Sequence, residues 1–70
     1  MNTEELIRMA NQIARFFDSY PEAEARVGVR EHIERFWEPR MRRQLLAYIG
    51  TDGTGLLPLV SQALRSSESS

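Results

Sequence analysis

Nucleophiles, bases, metal ligands and clustered charges carry the chemistry of a protein chain, and this sequence holds few of them. It has no cysteine and a single histidine, His32. That composition excludes disulfides and thiolate ligation, and it argues against a histidine-based metal centre within one chain. His32 has Glu31 and Arg35 beside it, but no nucleophile stands where a base could activate it. It reads as a boundary residue on a helix shoulder. The carboxylates Glu22 and Glu24, and Glu31 and Glu34, fall on faces that read as solvated rather than as an acid–base pair. Gly53-Thr54-Gly55 is glycine-rich. It lacks both the Gly-Lys-Ser/Thr ending of a phosphate loop and the GxGxxG spacing that follows a strand, so it reads as a connector. No residue is therefore expected to be catalytic, to bind a cofactor or to hold a metal.

Two groups point to binding instead. Arg40, Arg42 and Arg43 fall in the first turn of a helix that starts at Pro39. The helix dipole is positive there and disfavours each exposed cation by about 0.3–1 kcal/mol. Arg42 also falls on the apolar side of that helix, between Leu46 and Ile49. Either its stem lies over the core edge with a wet head, or its guanidinium is pinned to a carboxylate or carbonyl of a partner. The run Phe36-Trp37-Glu38-Pro39 allows two readings as well, packing at a helix–helix corner or part of a binding surface. Tryptophan and arginine are enriched among interface hot spots. Trp37, Arg40, Met41, Arg42 and Arg43 are accordingly the candidate partner-binding residues.

Four helical segments must position them. Over residues 3–19, Leu6, Ile7, Met9, Ala10, Ile13, Ala14, Phe16, Phe17 and Tyr20 fill one half of a helical wheel. Arg8, Asn11, Gln12, Arg15, Asp18 and Ser19 fill the other. Asn2 or Thr3 can cap the start, with Glu5 completing a capping box with Asn2, and Pro21 ends the segment. An apolar arc this wide should touch at least two neighbours. A second helix is predicted over 22–37, with Ala25, Val29, Ile33 and Phe36 on one face and Trp37 at its edge. Glu22–Arg26 and Glu31–Arg35 form i,i+4 pairs outside, and Gly28 is a point where the helix could break. A third helix covers 39–49, with Met41, Leu45, Leu46, Tyr48 and Ile49 on its face and Gly50 closing it. After a loop at 51–55, a short fourth helix covers 56–65 with Pro58 in its first turn and a stripe of Leu56, Leu59, Val60, Ala63 and Leu64. The expected architecture is all-α, three helices plus a short C-terminal fourth. Residues 1–65 form a single helical domain and 66–70 a disordered polar tail.

A chain of 70 residues has a core near the lower size limit, where tight helix packing or burial against a partner must supply stability. Net charge is −1 and all nine basic residues are arginine. Genome composition accounts for that, or arginine is kept for bidentate pairing at an interface. The N-terminus does not read as a signal peptide, since Glu4 and Glu5 come at once. No run approaches the ~18 apolar residues of a membrane span. The expected location is cytoplasmic, with no membrane partner.

Three stretches resemble a known family. They are Met9-Ala10-Asn11-Gln12-Ile13-Ala14-Arg15-Phe16-Phe17, then His32-Ile33-Glu34-Arg35-Phe36-Trp37-Glu38-Pro39-Arg40-Met41-Arg42, then Gly53-Thr54-Gly55-Leu56-Leu57-Pro58-Leu59-Val60 with Ala63-Leu64. Together they are similar to the delta subunits of cytoplasmic, molybdenum-containing, NAD-dependent formate dehydrogenases, over about residues 5–65. The resemblance implies a complex whose alpha subunit carries molybdopterin and most of the iron–sulfur clusters. A beta subunit carries FMN and binds NAD, and a gamma subunit carries a further cluster. It implies for this chain a non-catalytic accessory role with no cofactor of its own, binding and stabilising alpha or assisting its cofactor loading. A rival reading is a small helical nucleic-acid-binding or regulatory protein using Arg40, Arg42 and Arg43. The net charge argues against nucleic acid, because such domains are usually basic.

Overall fold

The structure, a computed structural model, describes residues 2–68, with side chains through Arg65. Its helices are α1 (Thr3–Phe17), α2 (Glu22–Phe36), α3 (Pro39–Thr51) and α4 (Pro58–Glu68), and no strand occurs among the described residues. The all-α architecture read from the sequence is thus the one observed.

Local chemistry explains the helix ends. Asn2 is the N-cap of α1, with the Glu5 N–H donating to Asn2 Oδ1 at 2.8 Å. The return bond of the box differs from the usual one: the Glu5 carboxylate accepts from the Asn2 side-chain amide at 3.0 Å rather than from its backbone. The first helix stops two residues short of the predicted 19. Asp18 N–H bonds to the Arg15 carbonyl and Tyr20 N–H to the Phe17 carbonyl. These three-residue steps tighten the chain into a turn so that Pro21, extended at φ −53° and ψ 146°, can open α2. Pro39 takes the first position of α3, where its missing N–H costs nothing.

The closing glycine of α3 is Gly53, not Gly50. Gly50 lies inside the helix, which runs on to Thr51. Gly53 sits at φ +76°, and the N–H groups of Asp52 and Gly53 both reach the Tyr48 carbonyl. That is the left-handed cap glycine supplies at no steric cost. The fourth helix begins at Pro58 rather than 56, and its backbone stays helical to Glu68 rather than ending at 65. Of the tail expected to be disordered, Ser69 and Ser70 lie outside the described residues.

The core is one cluster to which every helix contributes. Leu6, Ala10 and Ala14 from α1 meet Val29 and Ile33 from α2, Leu45 and Ile49 from α3, and Val60, Ala63 and Leu64 from α4, with Trp37 at the α2–α3 corner. The small residues Ala10 and Ala14 let the other elements approach α1 closely. The expectation that α1 touches several neighbours holds, since it packs against α2, α3 and α4. Gly28 does not break α2. A Cβ built there would stand 2.5 Å from the ring of Phe17, so the residue is small because an aromatic ring lies directly on the helix backbone.

One polar residue ties the C-terminal loop to this core. Asn11 donates from Nδ2 to the Gly55 carbonyl at 2.9 Å and accepts on Oδ1 from the Leu57 N–H at 2.9 Å. The Tyr48 hydroxyl donates to the Thr54 carbonyl at 2.5 Å, and the Thr54 hydroxyl bonds to the Asp52 carboxylate. The loop is thereby held against α1 and α3, and Leu56 and Leu57 pack on the core from outside the helix predicted to contain them.

Candidate protein-docking surfaces

Two grooves mark the surface where residues singled out from the sequence meet features that were not. The first lies between α2, α3 and α4. It is about 330 Å³ in volume and lined by Glu34, Pro39, Arg42, Arg43, Leu46 and Leu64. Arg42 is half-buried here, and its Nε is enclosed with no hydrogen-bond partner. Arg42 shares the groove with apolar Leu46 and Leu64, and the Nε end of its guanidinium is withdrawn from water without an acceptor. Arg40 and Arg43 are exposed, Met41 packs against the core, and none of the three arginines has an ion-pair partner among the described residues.

Trp37 is not gathered into that groove. It is 6% exposed and belongs to the core. Its backbone leaves the helix at φ −93° and ψ 142°, which turns the indole inward. Phe36, expected on the buried face of α2, is instead 71% exposed. Trp37 takes the core-packing reading because the chain leaves the helix there and the ring folds under the corner, whereas Phe36, still helical, departs from its expected place on the buried face.

The second groove runs between α1 and α2 and was not foreseen. Its walls are Met9, Ile13 and Phe16 from α1 and His32 and Phe36 from α2, with Trp37 below, and its volume is about 650 Å³. Phe16, placed by the wheel on the apolar half of α1, is 68% exposed. The His32 and Phe36 rings lie 4.8 Å apart, and Phe16 meets Phe17 edge-on at 5.0 Å. Exposed Tyr20 and Val27 extend the apolar surface past Phe17. A signal for this groove was present in the pairs Phe16-Phe17 and Phe36-Trp37. Neighbours on a helix point about 100° apart, which turns Phe16 outward when Phe17 packs on the core.

The charges around α2 are arranged differently from the sequence expectation. Glu22–Arg26 forms at 3.0 Å as expected, but the second pair is Arg30–Glu34 at 3.7 Å, and no Glu31–Arg35 bridge exists among the described residues. Both choices have i,i+4 spacing, and both are exposed pairs worth a few tenths of a kcal/mol. Among the described residues no group of three or more His, Cys, Asp or Glu is placed to hold a metal ion. No described helix is long and apolar enough to cross a membrane.

No curated protein and no solved structure is similar enough to this chain to count as a match. A family model does match, over residues 5–64 of the 70. It covers α1 from Glu5 onward, α2, α3, the loop anchored by Asn11, and α4 through the buried Leu64. Its description is NADH-dependent formate dehydrogenase delta subunit FdsD, so the chain belongs to the family of delta subunits of an NAD-dependent oxidoreductase.

Proposed function

We propose that this chain is a non-catalytic accessory subunit of a cytoplasmic NAD-dependent formate dehydrogenase complex. In this reading it binds the molybdenum-containing alpha subunit, in company with beta and gamma, and stabilises alpha or assists the loading of its cofactor. Molybdopterin, iron–sulfur clusters, FMN and NAD belong to the partner subunits. The observation that carries the docking role is the enclosed Arg42 Nε without an acceptor. A guanidinium N–H withdrawn from water and left unpaired is costly. A turn of the side chain that brings this edge of the guanidinium into the groove beside Arg43 and Leu46 would let a carboxylate or a helix-end carbonyl from alpha satisfy it. Such a group would also offset the unfavourable placement of Arg40, Arg42 and Arg43 at the positive end of α3. Trp37 then supports the corner from beneath, and Met41 holds α3 to the core.

The test separates folding from docking. Arg42→Ala should weaken association with alpha by about 2 kcal/mol, or roughly 30-fold, because the partner charge is left buried and unpaired. Arg42→Met keeps a stem in the groove with Leu46 and Leu64, so the free subunit should fold at least as well while docking is weakened. Deleting the subunit should lower formate oxidation through loss of assembled or cofactor-loaded complex, with turnover per molybdenum unchanged. Unaltered affinity for Arg42→Ala refutes the docking site. A complex lacking this chain that has full metal content yet no turnover refutes the accessory role.

A further inference from the structure

The groove between α1 and α2 exposes more aromatic surface than the fold of this chain uses. Phe16 and Phe36 stand on opposite walls, each about two-thirds exposed or more, while the core beneath them is already closed by Ala10, Val29, Ile33 and Trp37. An apolar patch of this kind marks a contact surface.

The rim has a sign. Gln12 lines the groove, and Arg8 and Arg15 stand four residues before and three after it, on the same line of α1. On the other wall Arg35 stands three residues after His32. Arg8, Arg15 and Arg35 are exposed and have no ion-pair partner among the described residues, whereas Arg26 and Arg30 on the same hairpin are paired. The opposing charge on that side of α2 is Glu31, which makes no bridge to Arg35. The lining of the groove is itself uncharged, and the charges that flank it on α1 and α2, Arg8, Arg15 and Arg35 against Glu5 and Glu31, leave an aromatic trough with one positive charge in excess.

We infer that this trough receives an amphipathic helix from another subunit of the formate dehydrogenase complex, one with an aliphatic stripe flanked by Asp and Glu. The inference rests on the reading of the chain as a subunit of that complex. The wall from Met9 to Phe16 spans seven residues, about 10 Å, which matches two helical turns and anchors at i, i+3 or i+4, and i+7. A helix fits better than a strand because the trough lies between two packed helices, into which a third seats ridge to groove. A partner of opposite charge fits better than a second copy. A two-fold copy presents the same patch to itself, setting one arginine rim against the other. Carboxylates flanking the aliphatic stripe would meet the arginine forks in bidentate geometry.

The experiment uses the full complex with a tag on this chain. Phe16→Ala combined with Phe36→Ala should raise the Kd for the remaining subunits at least tenfold, while the free chain keeps its helicity and cooperative unfolding, since each exposed ring gives up only its contact with Phe17 or His32. Reversing the rim with Arg8→Glu and Arg15→Glu should weaken binding as well and flatten its dependence on salt. A photo-crosslinking phenylalanine at position 36 should capture a peptide of another subunit that carries the apolar spacing and flanking carboxylates. Three results overturn the inference: unchanged Kd for the double variant, a crosslink to a second copy of this chain, or a captured peptide without acidic residues. If the unaltered chain itself fails to co-purify with the complex, the subunit reading falls and takes this inference with it. If the unaltered chain and the double variant bind equally, only the groove assignment is lost.

Discussion

Replacing Asn11 with alanine removes two hydrogen bonds at once, both 2.9 Å long, to the Gly55 carbonyl and the Leu57 N–H. Each such bond contributes about 1 kcal/mol net, and the half-buried Leu57 N–H is left without a partner. Against this, alanine is a better helix former than asparagine by about 0.6 kcal/mol. The balance is a loss of about 1.5 kcal/mol. For a domain of this size that lowers the melting temperature by about 6–12 °C. Thermal and urea unfolding followed by circular dichroism measures the total, and hydrogen exchange at the Leu57 amide measures the local part. Protection there should fall by more than at the buried amides of α2, since the loop can open without unfolding the bundle. Asn11→Asp sharpens the test. It keeps the acceptor for Leu57 N–H but turns a carboxylate oxygen toward the Gly55 carbonyl, so it should be at least as damaging as alanine. If Asn11→Ala is stable to within about 0.3 kcal/mol of the unaltered chain, or if Asn11→Asp is neutral, the loop is held by something other than this amide.

Gly28→Ala gains about 1 kcal/mol of helix propensity but drives a Cβ to 2.5 Å from the Phe17 ring. Overpacking costs about 1–3 kcal/mol, so the variant should melt several degrees lower, and a rise in melting temperature would show that the ring moves aside freely. Leu6 is fully buried, and Leu6→Ala should cost about 2–5 kcal/mol of a total near 4–10 kcal/mol for a chain of this length. Circular dichroism should find the free variant melting at least about 8 °C lower, with part of that loss recovered on binding its partners, as linkage requires. Cooperative unfolding with a loss below about 1 kcal/mol would contradict that.

The parts of the fold legible in the sequence are those set by local rules. Leu6, Ala10 and Ala14, and likewise Ala25, Val29 and Ile33, recur at helical spacing and are the buried stripes. Pro39 opens α3 as expected, whereas α1 ends at Phe17, ahead of the boundary assigned to Pro21. What escaped depends on contacts distant in sequence or on where a helix stops. Asn11 reads as one more polar residue on a solvated face, and only the fold brings Gly55 and Leu57 to it. Gly28 looks like a weak point in a helix because nothing local says that Phe17 lies across it. The inward fold of Trp37 depends on one residue of helix length, a boundary that periodicity leaves loose by more than that. Of the candidate site, the unusual position of Arg42 followed from the wheel alone. The trough between α1 and α2 did not, because a wide apolar arc says how much surface a helix must cover and not how much its own chain will leave bare.

The position of Trp37 has an optical consequence. It is the chain's single tryptophan. It sits in the core, yet it also lines the trough between Phe36 and Met9. Its emission therefore responds to two separate events. Unfolding exposes the indole to water and shifts the band to the red, whereas a helix laid over the trough removes its last contact with solvent and shifts the band to the blue. A partner helix supplied as a peptide without tryptophan leaves that signal unobscured, so docking and denaturation can be followed in the unlabelled protein by opposite changes of one chromophore.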